Sequence, residues 1–323
     1  MKKSMFGYIV KLAVAAGLIG FLVHNGQLDF RQMLKLSSLN ILTCMVLGLI
    51  ALFFVNARWL VLLRSQGFDT NFKNTFELTL MGVFFNYALP SSIGGDVVKA
   101  YYLVKDNVNK KASAAMSVVV DRVIGLIVMM SLAFLSMVVN LDHVESSPEL
   151  KSLFLLITLM FFGGVIFLAF AFSKSINSMK GIQKVLAVMP GFLSKVYNAL
   201  HAFGRCKKSI FYSVVLSYGS QLTSISFMYL VAQGLGYHQV PFAAFIFAIP
   251  IGFMVMSVPI APAGLGVGQL ALLYLFKVYL GYQTDIGQIG ITIFQLVNLC
   301  FGLVGAFLYT KRKKNIDLSK VVA

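Results

Sequence analysis

The chain has 323 residues, 59% of them hydrophobic and only 12% charged, with a mean hydropathy of +0.84 and a formal net charge of +16. That composition excludes a soluble domain; the Lys and Arg residues fall in short loops between apolar runs, so the charge reports topology rather than nucleic-acid binding. Three widely spaced cysteines (Cys44, Cys206, Cys300) and four scattered histidines offer neither a disulfide framework nor metal-ligand spacing, and no metal or cofactor is expected.

In chain order, residues 5–23 form the first apolar run, read as a retained helix because no small-residue cleavage site precedes His24. Residues 39–63 predict the second span, and Arg58 near its cytoplasmic end is expected to snorkel toward headgroups. Residues 75–102 read differently. They hold N-Y-A-L-P-S-S-I-G-G-D at 86–96, with Pro90, Gly94 and Gly95 interrupting an apolar segment. Broken backbone survives in a bilayer only where it is buried in protein or lines a polar cavity, so this segment predicts two helical arms meeting at a break. Glu77 lies early in the first arm, and Asp96 is expected at the N-cap of the second.

Residues 114–139 predict a span carrying Asp121 and Arg122, which point about 100° apart on a helix and so serve different partners. The fixed charge and planar fork of Arg122 suit a phosphate or, equally, a buried pairing with Asp96 or Glu77. The loop 140–151 is acidic (Asp142, Glu145, Glu149), and residues 153–172 predict another span. Residues 173–208 mix lysines with apolar residues, reading either as a basic amphipathic helix on anionic lipid or as a solvated connector. After a span at 210–235, residues 241–280 repeat the broken pattern with V-P-I-A-P-A-G-L-G-V-G-Q at 258–269. Here Pro259 and Pro262 break the helix, and Gly264 and Gly266 free amides to face an anion at the start of the next arm. The glycine spacing is not a dinucleotide loop, which needs a preceding strand. Residues 287–309 predict the last span.

The expected fold is thus an all-α polytopic membrane protein of about six full spans plus two broken-helix hairpins, about eight transmembrane segments in all. Basic residues at Lys2, Lys3, Arg64, Lys73, Lys99, Lys105, Lys110, Lys111, 174–208 and 311–314 fit the cytoplasmic side of a cell inner membrane, with both termini inside. If each hairpin leaves by the face it entered, a single membrane domain (1–320) divides into half-repeats 1–140 and 152–310 of inverted topology, with the basic connector 173–208 within the second.

The N-x-x-L-P-x-x-x-G-G-D pattern at 86–96, the Asp121–Arg122 pair and P-I-A-P-A-G-L-G-V-G at 259–268 together resemble the lysylphosphatidylglycerol synthase transmembrane-region family, flippase-like integral membrane proteins. The resemblance covers about residues 5–310. In two-domain relatives this region accompanies a soluble aminoacyl-transferase domain and is associated with moving the product lipid across the bilayer. No such soluble domain is expected here, so synthesis of aminoacyl lipid is not implied. The sequence departs from the family at Gln269, where relatives commonly carry an acid.

These observations lead to a lipid translocase rather than an enzyme, handling a phospholipid or polyprenyl-phosphate-linked lipid. The expected substrate-binding set is Asp96, Arg122, Asp121, Asn86, Gly94, Gly95, Glu77, Gln269, Gly264 and Gly266, with Pro90, Pro259 and Pro262 as structural breaks. The alternatives are a membrane transferase acting on lipid-linked sugars, a small-solute secondary transporter, and a scaffold for a separate lipid-modifying enzyme. Expected partners are the membrane lipid substrate and an anionic lipid surface at the connector.

Overall fold

The computed structural model describes residues 34, 36–89, 91–145, 147–172, 191–259 and 261–312. The expected first span, Pro90, the lysine-rich part of the connector (173–190) and both termini lie outside the described residues. Within them the chain is a multi-pass, all-α membrane protein. Its helices are α1 (Ser38–Ser65), α2 (Phe72–Ala88), α3 (Gly94–Asp106), α4 (Lys111–Val139), the short α5 (Leu141–Glu145), α6 (Pro148–Phe172), α7 (Gly191–Gly204), α8 (Lys207–Gly234), α9 (Phe242–Ser257), α10 (Val267–Leu280) and α11 (Ile286–Arg312).

Local chemistry sets the helix ends. The Ser37 hydroxyl accepts from Asn40 N at 3.2 Å to cap α1, and the Asn71 side chain accepts from Asn74 N at 2.9 Å to cap α2. Both breaks begin with a residue held extended by a following proline: Leu89 (φ −110°, ψ 150°) before Pro90, and Val258 (φ −67°, ψ 130°) before Pro259. In the second break Ala263, Gly264 and Gly266 all take positive φ, a left-handed path that only the glycines adopt without strain.

Six helical stretches among the described residues are long and apolar enough to cross a membrane. Five correspond to expected spans. The sixth, Pro262–Leu280, is the second arm of the second broken segment, which gains length because the turn Pro262–Gly264 continues into α10. The other arms are short: α2, with 17 residues, rises about 25 Å against a hydrocarbon core of about 30 Å.

Lipid tails supply no hydrophobic drive between helices, so close packing over small residues takes its place. Gly95 is an example, since a Cβ there would sit 2.0 Å from the Gly82 carbonyl of α2. The longest packed pair is α1 along α8; α2 packs on α3 and α11, while α9 packs on α10 and α4; α3 lies on α4 and α10 on α11. By contrast, α6 buries only Leu150, Ile157 and Ala171 and turns Leu155, Leu159, Phe162 and Ile166 outward, as a lipid-facing helix does. In the described part of the connector, α7 buries Leu200 and Phe203 beside Val120, Ile124 and Ala171, so this apolar face meets protein rather than a lipid surface.

Candidate functional site: a charged chamber between the two breaks

The sharp turn from α2 to α3 is held by Gly95 N donating to Asn86 Oδ1 at 2.9 Å. This close seating turns two residues one helical turn apart, Asp96 and Lys99, toward the centre of the bundle. Asp96 is the third residue of α3 rather than its N-cap, a position taken by Ile93, and its carboxylate is held by Arg122 Nε. Arg122 Nη2 also donates to the Ser92 carbonyl at 3.2 Å. The Ser92 hydroxyl reaches the other break, 3.3 Å from the Val258 carbonyl and 3.4 Å from that of Ser257. The two interruptions are therefore in direct contact.

Asp121, the neighbour of Arg122, faces elsewhere. Its two oxygens accept from Arg58 Nε at 2.7 Å and Nη2 at 2.8 Å, and Arg58 Nη1 donates to Ser217 Oγ at 3.1 Å. Arg58 is 8% exposed and Asp121 4% exposed, which corrects the expectation that Arg58 snorkels. A carboxylate within bidentate reach holds the guanidinium inside, and the absence of a side chain on Gly125, where a Cβ would lie 2.9 Å from Arg58 Nη1, leaves it room.

Lys99 requires a second correction. Counted in the sequence as a cytoplasmic-side charge, it is 6% exposed, with its ammonium 4.2 Å from the centroid of the buried Trp59 ring. A cation over an indole face is attracted by the ring quadrupole. Spacing is the signal that finds Lys99, three residues after Asp96 on one helix face. The polar side chains of α8 are a similar signal: Ser213, Ser217, Ser220, Gln221 and Ser224 recur at helical spacing inside a span, and all five are buried.

Three cavities meet here. One of about 200 Å³ is bordered by Arg58, Asn86, Gly95, Asp96, Lys99, Asp121 and Arg122. A second, about 320 Å³, extends between Asn86, Gln221, Ser224, Gln295 and Asn298. The third, about 340 Å³, is an apolar groove between α3 and α4 lined by Ile93, Val97, Ala100, Ala115, Val118 and Val119, with Asp96 and Arg122 at its polar end. Arg122 and Ser257 border all three.

Of the expected set, Asp96, Arg122, Asp121, Asn86 and Gly95 are thus brought together. Gly94 packs against Leu89 beside them, and Glu77 is half-buried on α2 without bordering any of these cavities. Neither Gly264 nor Gly266 borders these cavities. Gly264 N donates to the Ala261 carbonyl at 3.1 Å and Gly266 N to Gln269 Oε1 at 2.8 Å, so both donors are satisfied locally. Gln269 itself ties this turn to α11, with Nε2 donating to Gln295 Oε1 at 2.7 Å and Thr292 Oγ1 at 3.3 Å. Pro259 is exposed and Pro262 opens the short turn after it.

The profile of the family described as the lysylphosphatidylglycerol synthase TM region matches residues 8–306, nearly the whole chain. The chain belongs to that family. It is similar to a UPF0104 membrane protein of Methanothermobacter thermautotrophicus, 24% identical over 310 residues and 90% of each chain. It is also 38% identical over 85 residues to a UPF0104 membrane protein of Methanocaldococcus jannaschii, a match spanning 26% of this chain and 25% of that relative's length. No solved structure matches.

Proposed function

We propose that this protein is a lipid translocase of flippase type, in which a polar headgroup passes through the charged chamber while its chains stay in the membrane. The observation that carries this reading is the meeting of an apolar groove with two polar cavities at Arg122 and Ser257. A solute carrier needs no apolar lateral groove, whereas a lipid needs both surfaces continuous. The carboxylates of Asp96 and Asp121 are both held by guanidinium groups, a poor arrangement for the general base of a transferase.

The broken segments act as two re-entrant hairpins in an inverted repeat, with α1 to α4 matched to α8 to α11. Supporting this is the exchange of packing partners: α2 rests on α3 and on α11, while α9 rests on α10 and on α4, with α1 against α8 at the centre. In a cell inner membrane with both termini cytoplasmic, rocking of one half against the other would alternate access. The Arg122–Asp96 pair stands where the apolar groove enters the chamber. Separating it frees a guanidinium for the incoming headgroup, and breaking the Ser92 hydrogen bonds to the second break lets the halves part.

The test is leaflet exchange in liposomes that contain purified protein and a panel of fluorescent phospholipids and polyprenyl phosphates. Reporter in the inner leaflet should become accessible to a membrane-impermeant quencher, and exchange should fall at least tenfold in Arg122→Gln. No exchange above that of protein-free vesicles, for any lipid in the panel, overturns the proposal.

A further inference from the structure

We infer that the translocated lipid is an anionic phospholipid with an uncharged, hydroxyl-bearing headgroup, its phosphate bridging Lys99 and Arg122, and not a lipid with a cationic headgroup. This rests on the translocase reading and names the substrate class of the same site. Charge is the first argument. Among the described residues the smaller cavity is bordered by three cations (Arg58, Lys99, Arg122) and two carboxylates (Asp96, Asp121). Both Asp121 oxygens are taken by Arg58, and Asp96 holds Arg122. Among the described residues Lys99 makes no ion pair, its ammonium lying over the Trp59 ring with Asp96 and Asp121 on the same cavity but each held by an arginine. One buried positive charge is left over, and a phosphodiester monoanion supplies its counterpart.

The larger cavity supplies the second argument. Among the described residues no Asp or Glu borders it, and apart from Arg122 its polar side chains are neutral, including those of Asn86, Ser220, Gln221, Ser224, Gln295 and Asn298. Gln221 is 6% exposed, borders both polar cavities, and its buried Oε1 has no hydrogen-bond partner among the described residues. An unsatisfied buried acceptor is unfavourable until a donor reaches it, and a glycerol or sugar hydroxyl is such a donor. A lysyl or other cationic headgroup would find no carboxylate there among the described residues. Gln269 is occupied in holding the second break to α11.

Trp59 is the single tryptophan of the chain, so its emission reports directly on Lys99. Full-length protein in neutral detergent is titrated with dihexanoyl phosphatidylglycerol, its lysyl ester, and glycerol phosphate. The expected result is a saturable emission change with the phosphatidylglycerol, about tenfold weaker binding of the lysyl ester and roughly hundredfold weaker binding of glycerol phosphate, which lacks the chains. Lys99→Gln, checked for fold by circular dichroism, should lose about tenfold in phosphatidylglycerol affinity. If that variant misfolds, Gln221→Glu decides, because it should shift preference toward the lysyl ester. Equal or tighter binding of the lysyl ester to the unmodified protein, unchanged binding in folded Lys99→Gln, or no shift in Gln221→Glu overturns the inference. Glycerol phosphate binding as tightly as the lipid overturns its lipid part. The two proposals fail separately: this binding profile without leaflet exchange defeats the translocase alone, and preferential exchange of a cationic lipid defeats the substrate class alone.

Discussion

The hydroxyl of Ser92 lies 3.3 Å from the carbonyl of Val258, joining two backbone interruptions that are 166 residues apart in sequence. Cysteines introduced as Ser92→Cys and Val258→Cys, in a chain with Cys44, Cys206 and Cys300 replaced, should cross-link with a short bifunctional thiol reagent. Cross-linking is expected to stop leaflet exchange and reduction to restore it. Exchange unaffected by complete cross-linking would show that this contact does not open.

Breaking the Arg58–Asp121 pair should be far worse than deleting it. Arg58→Met or Asp121→Leu alone leaves an uncompensated buried charge and should destabilise by about 3 to 5 kcal/mol, while the double variant should recover most of that loss. Thermal unfolding in detergent, followed by helicity, measures all three.

The Arg122–Asp96 pair should behave oppositely. The Arg122 side chain is 34% exposed and borders open cavities, so Arg122→Gln should cost about 1 kcal/mol or less in stability yet abolish most exchange. Comparing the melting temperature with the exchange rate separates the two effects.

Backbone contact between α2 and α3 leaves no space at Gly95. Gly95→Ala would place a Cβ 2.0 Å from a carbonyl oxygen and should destabilise by about 3 kcal/mol. Gly163→Ala on α6, where nothing lies within 4 Å of the new methyl, should be neutral or stabilise by up to about 1 kcal/mol through helix propensity. The two melting curves give the contrast.

Outside the spans, the Tyr237 hydroxyl donates to Asp285. Burial, followed by that hydrogen bond and the adjacent charge, pushes its pKa up from 10.0 to about 12. A raised pKa favours the protonated form in the folded state, so the contribution is fully present below pH 10 and is lost as pH rises through about 12. A difference titration of tyrosinate absorbance between the unmodified protein and Tyr237→Phe should show a late-titrating tyrosine.

Five of the expected spans and both breaks were readable from the sequence because long apolar runs and prolines inside them have few structural solutions in lipid. The divergence of Asp121 and Arg122 followed from helical geometry alone. Which partner each would take did not, because α1 and α3 approach α4 through tertiary packing that leaves little periodic signal. Arg58 and Lys99 looked like interface residues for the same reason: a cation near a span end reads alike whether a carboxylate or indole waits inside or headgroups wait outside. Gly264 and Gly266 marked the second turn correctly, but nothing in their spacing tells that Gln269 and Ala261 accept their amide protons.

Because Asp121 is fastened to α1 through two oxygens while the next residue grips α3, α4 carries a rigid joint and a releasable one side by side. A helix movement that frees Arg122 while Asp121 stays on Arg58 would carry α1 and α4 together and part α3 from them. Such a movement would widen the apolar groove between α3 and α4 within the first half, in addition to any parting of the two breaks at Ser92 and Val258.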